Sequence, residues 1–340
     1  MNTLNKRLTD SFLNEFDAYW NDMLTIINCQ QIQLLQGNRL RPQICLWGYL
    51  ATYPSITNCD KTLSTIASVS VSIEMIHKAS IMLDDWLDGD LERHGVPAFH
   101  FEYSPQNAVL TALTIIGLSL KRLKTAVPNA PMKLPNYYFM CLDTLIETIC
   151  AMAQGALKEL QLDRNSMFNI NTIQEITQLE TAEIIGNSML IGYYTGLKQN
   201  DPNPIIVENF KKIGDICGYM FQAMNDLEAF SNPKKLYAHK GNLNSDIINN
   251  RKNIAIAFLY NIANKKDKRL LVQNFQENLQ PLMKKYQVSN AMLYQLNDLF
   301  VQAKKIVKNL ETENISNEWI DGFLSFLDYI KNFGEERLKM

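Results

Sequence analysis

Residues 72–90 read SIEMIHKASIMLDDWLDGD, and the rest of the chain is best interpreted outward from this stretch. Up to Leu83 it has the apolar spacing of a buried helix. Four aspartates follow within seven residues: Asp84, Asp85, Asp88 and Asp90. Asp84 and Asp88 are four residues apart, so they share one helix face and repel each other. A helix keeps this pair most usefully when a hard cation such as Mg²⁺ lies between them, because Mg²⁺ prefers oxygen ligands and completes its shell with water and phosphate.

The alternative interpretation of these acids is a solvated end of an ordinary helix. That end is unfavourable for negative charge, because the helix dipole already places partial negative charge there. Arg93 and His94 follow at once and are suited to the same phosphates. The stretch therefore predicts a metal and phosphate site.

Outside this stretch the apolar spacing is helical nearly everywhere, with few runs of the alternation that a half-buried strand needs. No linker, repeat or low-complexity tract divides the chain. The sequence thus predicts an all-α fold, a single-domain large helical bundle spanning residues 1–340. The predicted helices cover residues 5–35, 42–53, 60–90, 104–124, 134–162, 171–197, 204–230, 244–263, 267–285, 288–311 and 316–334.

Bulk properties exclude several classes of protein. The chain has 340 residues and a formal net charge of −2, so it lacks the basic field that nucleic-acid binding requires. Six scattered cysteines without a CxxC pair predict reduced thiols and a cytoplasmic protein. The longest apolar run, residues 109–120, is too short for a transmembrane segment and predicts a buried core helix. The N-terminus does not resemble a signal peptide.

Three blocks in fixed order resemble the trans-isoprenyl diphosphate synthases, or polyprenyl synthetase family. Residues 73–100, IEMIHKASIMLDDWLDGDLERHGVPAFH, resemble its first aspartate-rich region. Residues 37–42, GNRLRP, are similar to its upstream GKRxRP segment, and residues 218–230, GYMFQAMNDLEAF, to its second aspartate-rich region. A weaker match, HKGNLNSDIINNRKN, follows at residues 239–253.

The resemblance implies an α-helical bundle around a deep central cavity, usually a homodimer, that binds two or three Mg²⁺ ions. It implies ionisation of an allylic isoprenoid diphosphate and attack on the resulting cation by isopentenyl diphosphate. Metal ions and arginines neutralise the charge that develops on the leaving diphosphate.

The resemblance also assigns roles residue by residue. The metal ligands it implies are Asp84, Asp85, Asp88 and Asp226. The residues that it places on the allylic diphosphate are Arg93, Thr181, Gln222, Lys240 and Arg251. The positions that it places at the second diphosphate are Asn38, Arg39, Arg41, His77 and His94.

The sequence departs from the family at both diphosphates. Asn38 and His94 stand where the family has a lysine and an arginine. Each missing charge-assisted bond costs about 1.5–3 kcal/mol, so the two losses predict weaker acceptor binding. Glu180 replaces a family lysine. In the second acidic region Glu228 comes one residue early, which rotates it about 100° around the helix and predicts that it misses the metal.

These departures leave three functions open. Chain elongation with isopentenyl diphosphate stands first, because Arg41 and His77 are retained. A terpene synthase, or a prenyltransferase with another acceptor, would ionise the same allylic substrate. A non-catalytic partner subunit is the third reading, favoured by the altered second acidic region.

Product length is predicted from the residues just upstream of Asp84. Ala79 and Ser80 lie five and four residues before it, and both are small. Neither would block a growing isoprenoid tail that runs along this helix. By resemblance, family members with a bulky aromatic residue at position 79 make short products. The sequence therefore predicts a product of 20 carbons or more.

Overall fold

The computed structural model describes residues 3–27, 37–55, 63–93, 95–126, 136–163, 166–197, 200–231 and 251–338. This part of the chain is almost entirely helical, which confirms the predicted all-α class. The helices are α1 (Thr3–Ile27), α2 (Leu40–Leu50), α3 (Leu63–Asp88), α4 (Phe99–Glu102), α5 (Pro105–Thr125), α6 (Asn136–Leu160), α7 (Ile170–Thr177), α8 (Glu183–Leu197), α9 (Pro204–Ser231), α10 (Ile254–Ile262), α11 (Lys265–Gln273), α12 (Phe275–Lys285), α13 (Val288–Asn309) and α14 (Asn317–Leu338). A π-helical turn, Gln178–Ala182, joins α7 to α8, and short 3₁₀ turns cover Ser166–Phe168 and Leu310–Glu313.

The strands of the described chain form one small hairpin directly after α3. Strand β1 (Glu92–Arg93) pairs antiparallel with β2 (Val96–Pro97). Gly89 and Gly95 have φ angles of 69° and 77°, which glycine adopts without a steric penalty. The turn at Gly89 folds the chain back at the end of α3, so that Arg93 in β1 contacts the aspartates there.

Helices α2 and α8 cross closely beside α3, and two glycines permit the approach. A Cβ on Gly192 would lie 1.9 Å from the carbonyl oxygen of Cys45, and one on Gly48 would lie 1.9 Å from that of Met189. The C-terminal helix α14 packs on the same centre, where the Trp319 indole Nε1 donates a 2.7 Å hydrogen bond to the Trp47 carbonyl. Helices α2, α3 and α8 therefore form a rigid centre from which the acidic end of α3 projects.

Several predicted boundaries were wrong for local reasons. The predicted helix at 267–285 is two helices that meet at Asn274, whose φ and ψ of −132° and 69° are not helical. The helix predicted at 244–263 begins at Ile254 in the described chain, which starts again at residue 251. Asn253 caps it by accepting a 3.0 Å hydrogen bond from the Ile256 amide. Residues 28–35 of the first predicted helix lie outside the described residues.

The prediction of a buried core helix at residues 109–120 was wrong for one face of α5. Leu110 and Leu113 are 62% and 58% exposed, because only the opposite face packs on α3. Two described helices are long and apolar enough, by length and composition alone, to cross a membrane: Leu63–Asp88 and Tyr137–Leu160. The apolar window is 78% buried within the protein in the first helix and 28% in the second.

Candidate active site

A single cavity of about 1070 Å³ gathers nearly all of the described residues that the sequence singled out. Its wall combines the acidic end of α3, a cationic patch formed by α2 and α3, the middle of α9, and the apolar faces of α3, α5 and α6. Two charged walls of opposite sign beside an apolar floor suit a ligand with an anionic head and a hydrocarbon tail.

The acidic wall is the last turn of α3, with the three aspartates in different surroundings. Asp84 is half exposed and Asp85 is fully buried. Arg93 Nε donates a 2.6 Å hydrogen bond to Asp85 Oδ1, and its Nη2 lies 3.6 Å from Asp84 Oδ2. Burial raises the pKa of Asp85 to about 6, although the Arg93 charge opposes this rise. A carboxylate pKa raised by burial means that the dry surroundings disfavour the ionised form.

One atom beside this wall fits a bound cation, although Asp84 and Asp88 line the cavity and Asp85 does not. Asp85 Oδ2 is buried and accepts no hydrogen bond from any described residue. An unsatisfied carboxylate oxygen costs free energy unless a cation or water lies against it. Carboxylate oxygens are the ligands that Mg²⁺ prefers. The carboxylates at the end of α3 therefore have the chemistry that Mg²⁺ prefers, although the described residues include no group of three or more acids, histidines or cysteines already gathered around a metal position.

Residues 251–254 connect the first acidic region with the second. Arg251 Nε forms a 2.8 Å ion pair with Asp88 Oδ1, and the Ile254 amide donates a 2.6 Å hydrogen bond to Asp226 Oδ2. Asp226 Oδ1 accepts a 2.8 Å hydrogen bond from Gln222 Nε2. The same short segment thus contacts both acidic regions. Asp88 and Asp226 are 138 residues apart in the sequence.

Thr181 and Glu180 enter the cavity from the π-helical turn between α7 and α8. Thr181 Oγ1 donates a 3.1 Å hydrogen bond to Gln222 Oε1, which extends the chain of bonds that ends at Asp226. π-Helical turns are rare and are often found at functional sites.

Glu180 is paired with a lysine that the sequence reading did not single out. The Lys252 ammonium forms ion pairs with Glu180 Oε2 and, at 3.1 Å, with Glu159 Oε2. All three side chains are at most 13% exposed. The Lys252 amide also donates a 2.7 Å hydrogen bond to Glu159 Oε1. A cation therefore lies beside position 180, but it comes from position 252.

Glu228 was expected to miss the metal. It is 5% exposed, and it lines the cavity together with Asn225 and Asp226. Lining the cavity is compatible with either outcome, so the expectation that Glu228 misses the metal stays a prediction.

The cationic wall is formed by the start of α2 and the middle of α3. Arg41 Nη1 donates a 2.8 Å hydrogen bond to His77 Nε2. Because a guanidinium can only donate, that ring nitrogen accepts and His77 is neutral. Burial and the surrounding arginines and Lys78 hold the pKa of His77 well below its usual range. Arg39 Nη1 lies 3.0 Å from Glu74 Oε1, and its guanidinium carbon is 4.8 Å from the centre of the Trp20 ring.

The backbone beside this wall is conformationally unusual. Arg39 has a φ of 50°, a left-handed conformation that costs a non-glycine residue about 1–2 kcal/mol. Strain of this kind persists where the surrounding contacts fix it, and it is concentrated at functional sites. Asn38 also lines the cavity, and its carbonyl accepts a 2.8 Å hydrogen bond from Gln43 Nε2.

The two residues predicted to control product length have different positions. Ser80 lines the cavity, whereas Ala79 is fully buried and is not part of the cavity wall. Five residues correspond to about 500° of helical rotation, so Ala79 lies some 140° away from Asp84 around the helix. Four residues bring Ser80 within about 40° of Asp84. The expectation that Ala79 faces the cavity was therefore wrong.

Two predicted residues, His94 and Lys240, lie outside the described residues. Four charged residues of the cavity were missed by the sequence reading: Glu74, Lys78, Glu159 and Lys252. A signal existed for two of them, because Glu74 and Lys78 form an i,i+4 pair within an otherwise apolar helix. Lys252 and Glu159 come from distant segments. The spacing of residues within either segment therefore does not predict their contact.

Comparison with known proteins gives relatives of one kind. The chain is 22% identical over 200 residues to a geranylgeranyl diphosphate synthase of Methanosarcina mazei, covering 59% of this chain and 57% of the relative. It is 26% identical over 194 residues to a geranylfarnesyl diphosphate synthase of the same organism, covering 57% and 58%. The chain thus spans less than two thirds of the length of these relatives.

Solved structures of low sequence identity share the fold. A crystal structure of a polyprenyl synthase from Caulobacter crescentus, complexed with calcium and isoprenyl diphosphate, superposes with a TM-score of 0.74 at 16% identity over 96% of each chain. A sequence model of the polyprenyl synthetases matches residues 26–292. This match spans most of the chain, which therefore belongs to the polyprenyl synthetase family.

Proposed function

We propose that this protein is a Mg²⁺-dependent trans-prenyltransferase that condenses an allylic isoprenoid diphosphate with isopentenyl diphosphate. The observation that carries the proposal is the single cavity in which an acidic wall and a separate cationic wall adjoin an apolar floor. The two curated relatives, both prenyl diphosphate synthases by name, support it.

The acidic wall is proposed to hold the allylic diphosphate through metal. Asp84, Asp85 and Asp88 would bind Mg²⁺ from one side and Asp226 from the other. Bound Mg²⁺ would neutralise the charge on the departing diphosphate, which needs no proton transfer from the protein. The calcium and isoprenyl diphosphate held by the Caulobacter crescentus protein of the same fold support this assignment.

The other residues near this wall are proposed to orient the same diphosphate. Arg93 and Arg251 contact the aspartates directly, so their charges would help to bind a diphosphate held at these carboxylates. Thr181 and Gln222 would fix the Asp226 carboxylate through their chain of hydrogen bonds. Lys240 and His94 keep the roles that the family resemblance implies, as proposals from sequence.

The cationic wall is proposed to bind isopentenyl diphosphate. Arg39 and Arg41 would hold its phosphates, and the neutral His77 ring would fix the Arg41 guanidinium. The apolar faces of α3, α5 and α6 would shield the allylic cation from water. A cationic acceptor wall favours elongation over a terpene synthase, which has no second diphosphate to bind.

The exposed surface and the cysteines bear on assembly and location. Exposed apolar side chains lie on α5 and α6, among them Leu110, Leu113, Phe139 and Ile146. Such a face is unusual on a monomer, and we propose that a second copy of the chain covers it in a homodimer. Residues 1–340 are proposed to form a single domain, and the protein is proposed to be cytoplasmic. The four described cysteines are free, in keeping with a reducing compartment.

Product analysis tests the proposed reaction. The protein is incubated with Mg²⁺ and each of the C10, C15 and C20 allylic diphosphates, with and without isopentenyl diphosphate. Elongated products that form only with isopentenyl diphosphate are expected. Hydrocarbons or alcohols formed in its absence would show terpene synthase chemistry instead. No turnover in any mixture would favour the hypothesis that the protein is a non-catalytic partner subunit.

A further inference from the structure

The cationic wall contains a buried lysine that the family resemblance does not account for. Lys78 follows His77 on α3, and its side chain is only 7% exposed. It lines the cavity together with Arg39 and Arg41. Burying an ammonium group is costly unless anionic partners compensate for the lost hydration. A lysine buried at this position is therefore stabilised by negative charge in the same part of the cavity.

The carboxylate beside Lys78 is shared. Lys78 Nζ lies 3.9 Å from Glu74 Oε1, and the same oxygen is 3.0 Å from Arg39 Nη1. Within the described part of this wall, three cations (Arg39, Arg41 and Lys78) surround one carboxylate, Glu74. Their mutual repulsion contributes to the protonation of Lys78, whose pKa is lowered to about 8 by burial first and by the arginine charges as well, with Glu74 opposing the change. A ligand with two or more negative charges would balance the group.

The Lys78 ammonium reaches the backbone next to position 38. A Cβ placed on Gly37 would lie 3.2 Å from Lys78 Nζ, so the ammonium rests against the backbone of residue 37. Gly37 has a φ of 134°, and the absence of a side chain leaves the space that the ammonium group occupies. Asn38, where the resemblance expects a lysine, lines the same wall.

We propose that Lys78 is a diphosphate-binding residue of the acceptor subsite and supplies, from α3, the cation that position 38 lacks. This proposal rests on the proposed function of the cavity. It changes the expectation from sequence that the acceptor site has lost two cations, because one of them is replaced from a different element.

Binding of isopentenyl diphosphate to the full chain, measured by calorimetry, tests the proposal without requiring turnover. Metal is removed with a chelator, so that the acidic wall cannot hold the ligand. Lys78→Met should weaken binding by about 10- to 150-fold, the equivalent of one charge-assisted bond of about 1.5–3 kcal/mol. Lys78→Gln serves as a second variant in case the methionine disturbs folding, which circular dichroism monitors. Lys212→Met, which removes an exposed lysine on α9, is the matched control and should bind like the wild type.

A relocation variant separates a ligand-binding role from a structural one. Asn38→Lys combined with Lys78→Met returns the cation to the other side of the same pocket and should recover most of the lost affinity. In turnover assays Lys78→Met should raise the KM for isopentenyl diphosphate and leave the KM for the allylic substrate unchanged.

Two outcomes would overturn the proposal. One is that both Lys78 variants, while folded, bind isopentenyl diphosphate within about threefold of the wild type, since a lost charge-assisted bond predicts more. The other is that the metal-free wild type binds neither isopentenyl diphosphate nor inorganic diphosphate. The product assay tests the proposed condensation independently of these binding measurements. Elongated products together with unchanged binding by the Lys78 variants would therefore support the proposed reaction and contradict the assignment of Lys78.

Discussion

At the scale of single residues, the cavity is surrounded by buried charged side chains. Several of them form ion pairs with side chains from other segments of the chain. Asp85 is fully buried against Arg93, and Lys252 is buried between Glu159 and Glu180. Buried ion pairs are poor evidence for stability, because desolvation offsets much of their attraction. Their concentration around one cavity is better explained by a charged ligand that uses the same groups.

The protonation of Lys78 predicts how acceptor binding depends on pH. Its pKa of about 8 reflects burial first, opposed by Glu74 and assisted by the charges of Arg39, Arg41 and Arg93. A charged lysine binds the diphosphate more tightly than a neutral one. Above pH 8 the ligand must therefore bind together with one proton. The Kd for isopentenyl diphosphate should be flat just below pH 8 and rise by up to about tenfold per pH unit above it.

Calorimetry from pH 7 to 9.5 checks this dependence, with Lys78→Arg as the matched variant. Arginine remains charged throughout that range, so its Kd should stay nearly level. A rise of equal steepness in both proteins would assign the titration to another group.

The roles of several site residues could be anticipated from the sequence because their spacing is local. Asp84 and Asp88 share a helix face, and His77 returns to it after two turns, and all three line the cavity. Lys252 and Glu159 could not be anticipated in this way. Their contact joins segments 93 residues apart, and only the tertiary packing brings them together.

At the scale of elements, the position of α3 depends on the close crossing of α2 and α8. Gly192→Ala would place a Cβ against the Cys45 carbonyl, at 1.9 Å in the unrelaxed structure. Because backbone must move to relieve this contact, the free energy of unfolding should fall by about 1–3 kcal/mol or more. Urea denaturation measures the change.

The matched control is a glycine in a helix with open space around it. A Cβ on Gly117 in α5 meets no atom within 4 Å. Gly117→Ala should therefore raise the free energy of unfolding by about 0.4–1 kcal/mol through the helix propensity of alanine and the reduced entropy of the unfolded chain. Equal effects of the two substitutions would contradict the close crossing.

Product length is predicted to respond to Ser80, because that side chain faces the cavity. Each helical turn advances about 5.4 Å, similar to one extended isoprene unit, so a bulky residue one turn from Asp84 should block a tail early. Ser80→Phe should shorten the product from 20 or more carbons toward 15. Chromatography of the dephosphorylated products gives the length.

The paired substitution is Ala79→Tyr. Ala79 is fully buried away from the cavity, so a tyrosine there should lower stability by overpacking and leave the product length of the remaining folded protein unchanged. Shortening by Ala79→Tyr, with no effect of Ser80→Phe, would reverse the assignment of the two faces of α3.

The helices themselves were largely predictable, since long apolar patterns identify the existence and type of an element. The long helices α3 and α9 were predicted within a few residues of their observed ends. The break at Asn274 was not, because both flanking segments keep helical spacing and only the non-helical backbone at that residue separates them. The small hairpin after α3 was also missed, since two-residue strands leave no periodic pattern.

At the scale of the whole molecule, the fold brings three distant parts of the chain to one cavity. Helix α3 supplies the first acidic region, α9 supplies Asp226, and residues 251–254 contact both. The cationic wall, formed by the start of α2 and the middle of α3, lines the same space. This arrangement would place two diphosphates in one water-shielded volume, which is what a condensation between them requires.

The central claim is that the end of α3 is the metal and diphosphate site, and the double variant Asp84→Ala/Asp88→Ala tests it most directly. Turnover of the allylic diphosphate with Mg²⁺ is compared with that of the wild type, and circular dichroism verifies that helical content is unchanged. Loss of two charged ligands from the site should reduce turnover by more than about a hundredfold. Activity equal to the wild type in the folded double variant would contradict the account.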